Sequence, residues 1–133
     1  MQKLTIEYPL STQSPKIVWD FISNAHGLQK WLADKVIEED ENILTFTWGH
    51  PWTERDTKQS RVLDIEKYDH IRLLWDYHEE TPEAYWEMRI EKSELTGHLN
   101  LVITDYAVDD DEAEDLRELW DANLERLHSV SGL

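Results

Sequence analysis

The last stretch of the chain, Asp111 to Leu133, constrains the fold most, because it reads as one long helix whose single apolar stripe needs a partner. Leu116, Leu119, Trp120, Asn123, Leu127 and Val130 recur at three- and four-residue spacing, which places them on one helical face. Asp111 is the expected N-cap. Glu114 completes an Asp-x-x-Glu variant of the capping box, and the surrounding acids suit the positive end of the helix dipole. Gly132 provides the stop. Upstream the chain is nearly continuous strand, so the economical arrangement is a curved antiparallel sheet wrapped around this helix.

The upstream elements follow from hydrophobic period. Lys3 to Leu10 alternates, with Leu4, Ile6, Tyr8 and Leu10 on one face. Ser14-Pro15 is an N-cap and first-turn pair; Ile17, Val18, Phe21 and Ile22 then form a helical stripe to about Asn24, and Gly27 ends it. Leu28, Trp31 and Leu32 share a face of a second short helix that dissolves near Asp34. Strands are expected at Lys35–Glu39 and Ile43–Trp48, joined by an acidic turn ending in Asn42. A loop from Gly49 to Asp56 carries Pro51 and Trp52. Thr57–Lys67 shows Leu63 and Ile65 on one face, and Ile71–Tyr77 shows Ile71, Leu73, Trp75 and Tyr77. Ala84–Glu91 places Trp86, Met88 and Ile90 inward, and His98–Ala107 does the same with Leu99, Leu101 and Ile103. The order is βααββββββα: an α+β arrangement of about seven antiparallel strands with the helices on one face.

Composition narrows the classes of function. A chain of 133 residues fits a single domain spanning 1–133, which at this size buries roughly 68% of its unfolded surface. The formal charge of -16 repels phosphate backbones and anionic lipids, which argues against a nucleic-acid partner. The acids gather at Glu38–Glu41 and Asp109–Asp115, where they either keep the surface solvated or offer a docking patch to a basic protein partner. No apolar run is long enough for membrane insertion and the first residues lack a secretion pattern, so a cytoplasmic location is expected. The absence of Cys excludes thiolate chemistry and disulfides.

With the elements in this order, the chain resembles the helix-grip fold of the START-like superfamily, which includes pollen-allergen-like proteins and polyketide cyclases. Within it, Pro15, Val18, Trp19 and Ile22, Gly27-Leu28 with Trp31-Leu32, Arg72-Leu73-Leu74-Trp75 and Leu95-Thr96-Gly97-His98-Leu99 resemble patterns of the AHSA-like branch (activator of heat-shock chaperone ATPase). Ile103-Thr104-Asp105-Tyr106-Ala107 and Leu119-Trp120 resemble small uncharacterised bacterial members. Glu41-Asn42 stands where the branch often has a Gly-Gly pair, so the early hairpin is expected to differ. The resemblance implies a cavity between sheet and helix.

Spacing offers little for catalysis. His-Glu-x-x-His is missing, His70 and His98 begin strands where an imidazole ordinarily faces solvent, and no Gly-x-Ser-x-Gly elbow or phosphate loop is present. No metal, cofactor or catalytic residue is assigned. What stands out among the seven Trp is that Trp48, Trp75, Trp86 and Trp120 point into the gap between sheet and helix, with Trp31 near its mouth. Such rings either fill a core or line a cavity for an apolar or ring-shaped ligand, each adding an N–H donor. Asn123 is a polar amide in an apolar stripe, which requires either a structural hydrogen bond or a ligand contact. The reading is a non-enzymatic binder of a small apolar or aromatic, lipid-like ligand, with Trp31, Trp48, Trp75, Trp86, Trp120 and Asn123 as lining. A co-chaperone-like protein-interaction domain is the alternative that the resemblance implies. A cyclase- or hydrolase-type enzyme is the third, and it needs an acid–base-lined cavity where the inward faces read as apolar.

Overall fold

The computed structural model describes residues 1–49 and 56–133, so the loop expected to carry Pro51 and Trp52 lies outside the described residues. Seven strands form one antiparallel sheet in the order β1-β7-β6-β5-β4-β3-β2. They are β1 (Gln2–Pro9), β2 (Lys35–Asp40), β3 (Ile43–Trp48), β4 (Asp56–Glu66), β5 (His70–Trp75), β6 (Trp86–Lys92) and β7 (Leu99–Ala107). From β2 to β7 the sheet is a simple meander, and β1 closes it by pairing Ile6 with Ile103 on the last strand. Helices α1 (Pro15–Ile22) and α2 (Ala25–Gln29) connect the two edges, and α3 (Asp110–Ser131) follows β7. This is the expected helix-grip arrangement.

The core lies between the inner face of the sheet and the three helices. Leu4, Ile6, Phe46, Leu73, Trp86, Met88, Leu101 and Ile103 come from strands; Val18, Ile22, Leu28, Trp31, Leu124 and Leu127 come from helices or their ends. Inward residues alternate along β7 as Leu99, Leu101, Ile103, Asp105 and Ala107, all buried. The fourth of these is a carboxylate.

Several local expectations need correction. Asp109, not Asp111, caps α3, accepting the Glu112 N–H at 2.9 Å. Gly132 ends that helix at φ 77°, a left-handed angle that glycine adopts without strain. On α3 the buried residues are Trp120, Asn123, Leu124 and Leu127; Leu119 and Val130 are 55% and 50% exposed, because both fall on the flank of the buried face rather than at its centre. In α1, Trp19 takes the buried place expected for Ile17, which is exposed. Gly27 is no terminator but sits inside α2, where a Cβ would meet the Asp20 carbonyl oxygen at 2.0 Å; a glycine is what lets α2 pack this closely on α1.

Strand β4 departs further. The pairing with β5 shifts between Val62 and Asp64, leaving Leu63 as an extra residue. Ahead of this bulge Ser60 is buried, while Ile65 beyond it is exposed, so Leu63 and Ile65 do not form the inner face. At the β2–β3 hairpin, Asn42 adopts φ 66°, so an Asn fills the left-handed position for which the branch often uses Gly. His70 also differs from expectation: it is buried, held at 2.5 Å to Asp69 and 2.9 Å to Asp64. Among the described residues no helix is long and apolar enough to cross a membrane.

Candidate functional site

The four inward tryptophans and α3 enclose a cavity of about 410 Å³ that opens to solvent. Its walls come from Trp48 on β3, Trp75 on β5, Trp86 on β6 and Leu116, Leu119 and Trp120 on α3. Polar groups enter from Lys58 on β4, Tyr77 and His78 in the turn after β5, Asp105 on β7, and Glu112 and Asn123 on α3. Alternation along each strand carries one residue per two positions to this face, so different strands each deliver a large ring or a charge.

The rings touch in sequence. Tyr77 stacks on Trp75 at 6.0 Å, Trp75 on Trp86 at 5.0 Å with planes 9° apart, and Trp86 meets Trp120 at 6.0 Å. Trp120 continues to Trp31 at 6.4 Å. Trp31 itself does not line the cavity: it is completely buried beneath Trp120, with its indole N–H on the Phe21 carbonyl at 2.9 Å, rather than at the mouth. The other five expected lining residues, Trp48, Trp75, Trp86, Trp120 and Asn123, come together around the cavity.

Three of the four wall indoles have their N–H groups engaged within the protein. Trp48 donates to the Leu32 carbonyl (3.0 Å), Trp86 to Ser60 Oγ (2.9 Å) and Trp120 to Asp105 Oδ2 (2.9 Å). For these three rings the expectation that each would offer a ligand a donor is corrected, because the N–H is already bonded. Asn123 is buried and its amide forms no hydrogen bond among the described residues.

Among the cavity residues outside the set expected on sequence grounds, Asp105 and His78 carry the most chemistry. Asp105 belongs to the Ile-Thr-Asp-aromatic-Ala ending, and its phase with Leu101 and Ile103 is the signal that places it inward. Burial pushes its carboxyl above the usual carboxylate range, against the pull of hydrogen bonds from Trp120 and the Tyr106 backbone N–H and of nearby His78. His78 stands on the turn Asp76–His78, which has no periodic signature; its Nδ1 is buried and lacks a hydrogen-bond partner among the described residues. The expectation of a predominantly apolar inner face is therefore modified by these two groups, together with the other polar residues on the cavity.

A second cluster lies outside the cavity, where Glu66, Asp69 and His70 bring one potential ligand atom each within 4.8 Å of one another. Both His70 nitrogens are already engaged, Nδ1 with Asp69 and Nε2 with Asp64, and Arg89 reaches Asp69 at 3.0 Å. An imidazole bonded to carboxylates through both nitrogens has no lone pair to give a metal. Its chemistry is that of an ion-pair network.

A curved antiparallel sheet gripping a long C-terminal helix over an aromatic-walled cavity defines the helix-grip class of α+β proteins. The chain belongs to the START-like superfamily, whose domain model matches residues 1–133. The solution structure of a Bacteroides fragilis protein is 37% identical, covering 97% of this chain and 90% of that one, with a TM-score of 0.63. The Aha1 dimer from Colwellia psychrerythraea is 13% identical over 98% of this chain and 96% of that one, with a TM-score of 0.68. The AHSA1 protein from Silicibacter pomeroyi is 14% identical over 96% of both chains, with a TM-score of 0.73. At these last two identities the likeness is one of fold. No curated protein matches the chain.

Proposed function

We propose that the protein is a non-enzymatic binder of a small apolar or aromatic molecule, held between the sheet and α3. The observation that carries this reading is the open volume of about 410 Å³ beside Trp120, walled by tryptophan side chains, within the range of about 300–1,000 Å³ that ligand pockets occupy. A core whose rings served packing alone would close this space. Titrating apolar and aromatic compounds while recording tryptophan fluorescence tests it, because the wall indoles are in direct ring contact and respond together. A saturable shift is expected with at least one compound, and Leu116→Trp, which fills the cavity, abolishes it. No shift with any compound overturns the reading.

Asp105 and His78 favour a second reading, an enzyme of the cyclase or hydrolase kind, since both are proton-transfer groups on one cavity. Recovery of a bound compound chemically changed after incubation separates this from simple binding. The acidic entry to α3 is the feature that suits a co-chaperone-like role, and capture of a basic partner that weakens as salt rises is its test.

A further inference from the structure

The binding reading leaves the chemical class of the ligand open, and the cavity's electrostatics narrow it. Building on that reading, we propose that the cavity is made for an organic cation, an amine-bearing aromatic molecule whose ammonium group is held between indole faces and the carboxylate of Asp105.

Three features converge. Trp48, Trp86 and Trp120 have their N–H groups already bonded to Leu32, Ser60 and Asp105, so these three indoles meet a ligand as aromatic surface rather than as hydrogen-bond donors. Aromatic surfaces of this kind attract cations. The charges agree. Among the described lining residues, Asp56, Asp105 and Glu112 are acidic and Lys58 is the cation, and Lys58 Nζ already lies 3.5 Å from Asp56. Asp105 and Glu112 remain without a cationic partner among the described residues. The protein also displays the interaction in miniature, because the same Lys58 ammonium sits 5.1 Å over the ring of Tyr77 at the mouth.

The acceptors are placed to receive N–H donors. Asp105 takes one hydrogen bond on each oxygen, which leaves further lone pairs on a carboxylate able to accept about four. His78 Nδ1, buried beside the same cavity, is a second acceptor when the ring is neutral. Tyr77 reports the same field: burial and the charges of Asp105, Asp76 and Glu112 push its phenol upward.

The test uses three probes of one shape, naphthylmethylamine, naphthylmethanol and naphthoate, titrated calorimetrically against the whole chain at neutral pH and moderate salt. The amine should bind about tenfold or more tightly than the alcohol, and the carboxylate more weakly than the alcohol. Asp105→Asn should bring the amine to within about threefold of the alcohol, read as the ratio of the two affinities within the same variant. Glu112→Gln, at the exposed rim, should lower amine affinity by a smaller factor and gives the same information if Asp105→Asn does not fold. Equal affinity for amine and alcohol, or tighter binding of naphthoate, overturns the cation assignment while leaving the binding reading intact. Failure of all three probes to bind counts against both.

Discussion

Trp120 Nε1 donates a 2.9 Å hydrogen bond to Asp105 Oδ2, and this buried contact ties the middle of the terminal helix to the last strand. The indole edge satisfies a carboxylate that burial would otherwise leave costly, while the ring also meets Trp86 on one side and Trp31 on the other. One residue thus closes the core beneath it and forms the roof of the cavity beside it.

Trp120→Phe keeps much of the ring area and deletes the donor. The variant should lose about 1–3 kcal/mol of stability in urea denaturation, the cost of leaving a buried acceptor unpaired. An unchanged midpoint would show that the hydrogen bond is incidental to the fold.

Asp105 also makes stability depend on pH with a definite sign. Its folded-state carboxyl is held above the unfolded value of about 3.9, so the native state keeps its proton to higher pH than the unfolded chain does. That contribution is complete below the unfolded value and is lost as pH rises through the folded one. The stability of wild type minus that of Asp105→Asn should therefore fall with rising pH over this window and then level off; a difference independent of pH contradicts the burial effect.

His70 behaves alike at higher pH. Its hydrogen bond to Asp69 raises its folded value against the opposing effect of burial, and Asp64 adds to the rise. Stability relative to His70→Gln should be greatest below about pH 6.5 and decline as pH rises through the folded value. Titration of the ring protons by NMR supplies the folded value directly, and a midpoint at or below the ordinary histidine value refutes the ion-pair assignment.

Asn123→Leu replaces an amide without a partner among the described residues by an apolar side chain at a buried site. Thermal stability should rise by about 1 kcal/mol, and ligand affinity should fall because the cavity loses a polar contact. A clear loss of stability would place a structural hydrogen bond on the amide.

Gly27→Ala and Gly132→Ala make a paired measurement. At Gly27 the new methyl collides with backbone at 2.0 Å, so the α1–α2 junction must open, at a cost of about 3 kcal/mol or more. At Gly132 nothing lies within 4 Å, so the cost is confined to the left-handed backbone angle, about 1 kcal/mol. Equal losses in the two variants would refute the close approach at Gly27.

Much of the fold is legible in hydrophobic period. Leu4 and Ile6, Leu44 and Phe46, Ile71 and Leu73, and Trp86 and Met88 announce their strands because each inner face is apolar and each outer face largely polar. Where the reading fails, a local irregularity intervenes: Leu63 is extruded as a bulge, which reverses the phase of β4, and nothing in a run such as Arg61-Val62-Leu63-Asp64-Ile65 marks which residue will be extra. On α3 the stripe expected from spacing is centred off the true axis, since Leu119 and Leu124 are equally apolar and only the position of the sheet chooses Leu124 for the core.

The amino-acid order by itself determined a sheet of alternating strands, a terminal helix with one face to bury, and indole rings on the side where the two meet, because side-chain direction follows from backbone period. Tertiary structure alone decided that Trp31 packs as core while Trp48, Trp75, Trp86 and Trp120 border open space, and that Asp105 and His78 join them. Whether rings close on one another depends on sheet curvature and helix placement, and these emerge when distant segments pack together.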